Sequence, residues 1–164
     1  MTAPNNSQTQ QSQMLRHCIA TVAYRGAKAI RGAGPEFANF RAAEGVRSPG
    51  EILAHVGDLY DWALSLARGK QAWRDSAPLP WPQESERFHA TLKAFDDYLA
   101  SGDTLHCTAE ELLQGPIADS LTHVGQLTIL RRISGGPIRA ENYAKAAIAP
   151  GRVGPDQSAP KREF

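Results

Sequence analysis

Apolar residues recur along most of this chain at three- and four-residue intervals, the spacing of helices with one buried face. The first stripe is Met14, Leu15, Cys18, Ile19, Val22 and Ile30, which predicts a helix over residues 11–31 stopped by Gly32, Gly34 and Pro35. A loop follows through Gly45. The second stripe, Ile52, Val56, Leu59 and Ala63, belongs to a helix over 49–68. Its start is well marked: Ser48 can cap, Pro49 suits the first helical position, and Glu51 stands three residues after the cap. Residues 70–84 hold Pro78, Pro80 and Pro82 together with Trp73 and Trp81, and read as an ordered crossing loop. Phe88, Leu92, Phe95 and Leu99 predict a third helix over 85–100, ended by Gly102. Thr108 and Glu111 form a capping box for a short turn. A fourth helix runs from near Pro116 to Ser134, where Gly135-Gly136-Pro137 stops it.

Four amphipathic helices and no alternating strand pattern predict an all-α chain, a four-helix bundle with long crossing loops. Three parts are expected: a disordered polar tail over 1–10, the bundle over 11–136, and a C-terminal extension over 137–164 packed back as a short helix and irregular tail. The 164 residues suit one domain with tails, and 41% hydrophobic content supplies one core. No apolar run reaches the roughly 18 residues of a membrane span, so no membrane partner is expected. The net charge is +1 with Lys and Arg scattered, which argues against a nucleic-acid partner. Lys161-Arg162-Glu163 is expected to be solvated. Met1 to Gln13 lacks the basic region and apolar core of a secretory signal, so a cytoplasmic location is expected. There Cys18 and Cys107, which make no CxxC pair, are reduced thiols, Cys18 in the core. Exposed apolar faces of bundles often pair, so a homodimer is a further expectation, with Trp73 and Trp81 as candidate contributors.

The candidate chemistry lies in the fourth helix. Asp119 and His123 are four residues apart and therefore share a helix face. His55 stands beside the buried stripe of the second helix. If those helices face each other, the three side chains converge on one ion, with at least one coordination position left open for chemistry. Gln126, three residues past His123, is placed to orient a ligand or a bound water. Plainer readings stand beside this one. A lone histidine on an apolar face is usually a hydrogen-bonded core residue. An aspartate in a first helical turn commonly serves the helix dipole. Of the other histidines, His17 is a conceivable pocket residue, His89 is expected to face solvent, and His106 lies in a loop without identifiable partners.

The run His123-Val-Gly-Gln126, followed by Leu130-Arg131-Arg132 and Gly135-Gly136-Pro137, resembles the last-helix signature of the DinB/YfiT-like superfamily. Ser48 to Val56 is similar to that family's second helix, which carries a ligand histidine. The resemblance spans residues 11–137 and implies a four-helix bundle holding a divalent metal on three side chains, commonly three histidines. His55 and His123 match two of these. The third falls on Asp119, a departure that alters metal preference or affinity, or marks a member that has lost the metal. Glu141-Asn142-Tyr143 and Gly151-Arg152-Val153-Gly154 have the look of one subgroup of the family, with no assigned role.

The resemblance implies a metal-dependent enzyme of hydrolase or thiol S-transferase type acting on a small molecule. Its nucleophile would be a metal-activated water or a low-molecular-weight thiol. Zinc or nickel is expected first, then iron or manganese; the ligand types alone do not choose. The alternatives are a non-catalytic bundle that binds a ligand or partner around a vestigial site, and, more remotely, a non-haem iron site for oxygen chemistry.

Overall fold

The computed structural model describes residues 6–164, and among them the chain is all-helical with no strand. The long helices are α1 (Asn6–Ile30), α3 (Pro49–Ala67), α4 (Trp81–Ser101) and α6 (Ala118–Ile133); α2 (Pro35–Ala38) and α5 (Ala109–Leu112) are single turns. Helix α1 packs on α4 and α6, and α3 packs on the same two, so the long helices close a ring. Successive pairs α1/α3 and α4/α6 therefore lie on its diagonals, and the long connections after α1 and α4 cross its ends. Ile19, Val22, Leu53, Val56, Phe88, Leu92, Phe95 and Leu127 fill the centre.

Several boundaries differ from the sequence expectation, each for a local reason. Helix α1 starts at Asn6, so residues 6–10 of the expected disordered tail are helical; residues 1–5 lie outside the described ones. Glutamine is a good helix former, and this turn needs no buried face to extend α1. Met14, counted in the apolar stripe, is 65% exposed. Helix α4 begins at Trp81 rather than 85, because Pro82 falls in the first turn, where a missing N–H is harmless. Trp81 is buried against Phe37 and donates its indole N–H to the Ala33 carbonyl, so its side chain serves the core rather than the surface. The Ser48–Glu51 and Thr108–Glu111 capping boxes form as expected.

The largest departure precedes the fourth helix. The turn capped by Thr108 does not end; it runs through a π-helical segment, Leu113–Ile117, straight into α6. Pro116 cannot donate to the helical ladder, and the wider π turn accommodates it. Each extra residue rotates a helix face by about 100°, so this turn helps set which side of α6 meets α3. Asp119 is consequently deep within a continuous helical run. The dipole role expected of a first-turn aspartate loses its basis, because the preceding residues already occupy the helix start.

The C-terminal extension packs on α1 and α4. Glu141 is buried and accepts from the Tyr24 hydroxyl at 2.7 Å and from Lys28 at 2.8 Å. Glu163, expected in a solvated tail, also pairs with Lys28, at 2.7 Å. Tyr143 lies under the Arg25 guanidinium and opens a single 3-10 turn in place of the expected short helix. His89 is not solvent-facing: it is half-buried and bonds through Nδ1 to the Val153 carbonyl at 3.0 Å.

Burial holds the His89 pKa below its ordinary 6.5, while the bond to Val153 acts in the opposite sense. The unfolded chain therefore takes up this proton first as pH falls, and stability declines as pH drops through about 6.5. His55, also depressed, contributes in the same direction. Replacing His89 by Gln, which can still donate to Val153, is expected to flatten part of the fall in melting temperature between about pH 7 and pH 5. An unchanged slope would contradict the assignment.

Candidate metal centre

Helices α3 and α6 are neighbours in the ring, and their contact face brings His55 to Asp119 and His123. One ligand atom from each of the three lies within 4.8 Å of the other two. Asp119 spans the histidines: Oδ2 is 3.4 Å from His55 Nε2 and Oδ1 is 3.4 Å from His123 Nε2. Both distances exceed those of good charge-assisted hydrogen bonds, about 2.7–2.9 Å. Each is close to the roughly 3.3–3.4 Å between two ligand atoms of a tetrahedral ion with arms of about 2.0–2.1 Å, and the two contacts use different carboxylate oxygens. The imidazole rings stand 4.7 Å apart at 82°.

His123 Nδ1–H donates to Gln126 Oε1 at 2.9 Å, one helical turn on. An amide oxygen can only accept, so this bond fixes the proton on Nδ1 and turns the Nε2 lone pair toward Asp119 and His55. His55 is held below the ordinary histidine pKa first by burial and then by electrostatic coupling to His123 and Arg47, against the opposing effect of Asp119. It is therefore neutral near pH 7, the form that binds a metal. Asp119 keeps 45% of its side chain exposed, so the cluster opens to solvent on the carboxylate side. Two imidazoles and one carboxylate suit zinc, nickel, iron or manganese.

Around the cluster stand residues that the sequence did not mark as part of it. Trp73, from the loop between α3 and α4, packs edge-on against His55 at 5.6 Å and against Trp62 at 5.9 Å. That loop is held down by Asp58, which accepts from the Ser76 N–H and hydroxyl and pairs with Arg87. Below, the Tyr60 hydroxyl donates to Ser120 Oγ at 2.9 Å, and Ser120 donates to the Ile117 carbonyl, which fastens α3 to α6 beside Asp119. A cavity of about 880 Å³ opens on the other side of His123, lined by Ile52 from α3 and by Gln126 and Leu130 from α6. The remaining histidines stay outside: His17 and His106 are exposed and His89 serves the C-terminal extension. Cys18 and Cys107 are partly buried, and burial raises both thiols above their ordinary pKa.

Gln126→Ala frees the His123 ring and its tautomer. Metal affinity is expected to fall about 10–100-fold with no comparable loss of helix content, as measured by chelator competition. Unchanged affinity would remove Gln126 from the site.

No protein-family model, curated protein or solved structure matches this chain.

Proposed function

We propose that the helical ring is a four-helix bundle of the DinB/YfiT-like type and that the chain is a divalent-metal-dependent enzyme of hydrolase or thiol S-transferase type. The observation that carries this reading is the convergence of His55, Asp119 and His123 from two helices within 4.8 Å, at the edge of a cavity large enough for a small molecule. His55 Nε2, His123 Nε2 and one Asp119 oxygen would hold the ion, and Gln126 keeps His123 in the ligand tautomer. A divalent ion at such a site lowers the pKa of a bound water or thiol and so supplies a nucleophile near neutral pH. The exposed Asp119 side leaves room for that group. Trp73 packs edge-on against His55 at the margin of the cluster.

Neither cysteine favours its thiolate, so thiol chemistry here draws on a low-molecular-weight thiol from solution. Zinc or nickel is the proposed metal, with iron or manganese compatible with the same donors. The test is a substrate screen on zinc- and nickel-loaded protein, with ester and amide substrates and with thiol plus electrophile. Turnover that a chelator removes and added metal restores is expected. Turnover indifferent to metal, or none with either class, would contradict the reading. The apolar lining of the cavity favours a second reading, a non-catalytic ligand-binding bundle; that reading expects ligand binding without turnover.

A further inference from the structure

The cavity beside His123 is a groove along the outer face of α6, running from Thr122 to Ile133. Eleven residues of helix rise make it roughly 16 Å long. Its floor and walls are apolar: Val46, Ile52, Ile129, Leu130 and Ile133. Among the described residues Arg47 is the one lysine or arginine in the lining, which holds no carboxylate, and it also lines a smaller pocket, about 190 Å³, that opens at His55. It thus stands where the groove meets the cluster. Among the described residues no carboxylate pairs with it. Of the acids lining that smaller pocket, Glu51 is taken by Arg41 and the Ser48 N–H and Asp58 by Arg87 and Ser76, while Asp75 lines it without an ion pair to Arg47.

Gly125 supplies the second observation. It lies in the interior of α6, where glycine is destabilising relative to alanine. Neither backbone conformation nor a close neighbour requires it: a Cβ built there meets nothing within 4 Å. What its bareness provides is open space, because Gly125 lines the groove.

We propose that this groove binds a small molecule with an apolar body and an anionic end, the body lying along α6 past Gly125 and the anion held by Arg47 beside the His55–Asp119–His123 cluster. The proposal rests on the metal-centre reading for its claim that this molecule is the substrate. A second copy of the chain is the rival occupant. The concave shape, the volume within the range of small-molecule sites, and a lone unpaired cation at one end favour the small molecule.

The probes are decanoate and decanamide, below their micelle-forming concentrations, titrated calorimetrically into metal-loaded and chelator-treated full-length protein. Decanoate is expected to bind one site about tenfold more tightly than the amide, the size of a charge-assisted hydrogen bond. Arg47→Gln should erase that preference and leave amide binding in place. Gly125→Leu should raise or preserve the melting temperature while weakening both probes at least about tenfold. Equal binding of acid and amide, or unchanged binding in Gly125→Leu, would overturn the proposal. So would a concentration-dependent dimer that Gly125→Leu dissociates. Anion preference in a protein that takes up no metal would sink the enzyme reading and leave the groove's ligand class standing; metal uptake without the preference would do the reverse.

Discussion

Asp119→Ala is expected to lower affinity for zinc or nickel by more than about 100-fold, since loss of a mere orienting partner already costs roughly 10–100-fold. The fold should survive it. Asp119 is 45% exposed and inside a continuous helix, where alanine is favourable. Its loss also leaves the two imidazoles without the carboxylate that lies 3.4 Å from each. His55→Ala and His123→Ala should each abolish stoichiometric binding as well, His123→Ala with some destabilisation because it is buried. Competition against a chromophoric chelator, read beside thermal melts of the metal-free variants, separates lost ligation from lost fold. Wild-type affinity in Asp119→Ala would show that the carboxylate is no ligand.

Arg87→Met should destabilise the protein by about 3–5 kcal/mol. Arg87 pairs with Asp58 and with Glu84, whose side chains are 1% and 0% exposed. Removing the guanidinium strands two carboxylates in the interior. Their remaining donors, Ser76 for Asp58 and the Leu79 N–H for Glu84, are neutral and cannot replace the charge. Because Asp58 also anchors Ser76, the same change loosens the loop that lays Trp73 on His55. Urea denaturation gives the stability change, and Trp73 fluorescence should report the loop opening below the global transition. A loss under about 1 kcal/mol would place these charges in the solvent-exposed class.

The fold was legible where periodicity and caps agreed. The stripes through Val56 and Leu92 put the right faces inward, and Ser48 and Thr108 began their turns where the capping boxes said. It was illegible where one residue type permits two states. Proline marks a break in sequence, yet Pro82 sits inside a first turn and Pro116 inside a π turn. The three candidate ligands could be named because an i, i+4 pair and one histidine on a facing helix need only helix geometry to meet. Gln126 followed from the same face. Trp73 and Arg47 could not be found that way, since their positions depend on how two loops lie against α3. The buried ion network under the crossing loop carries no local pattern: Asp58 looks like an ordinary helix-surface acid and Glu84 like a loop acid until Arg87 reaches them.

The proposed metal centre stands or falls with His55, Asp119 and His123. Elemental analysis of protein purified without a histidine tag tests it most directly, run alongside Asp119→Ala. About one transition-metal ion per chain is expected in the wild type and almost none in the variant, as a single three-ligand site requires. A wild-type protein that carries no metal, and takes up none on reconstitution with zinc, nickel, iron or manganese, would contradict it.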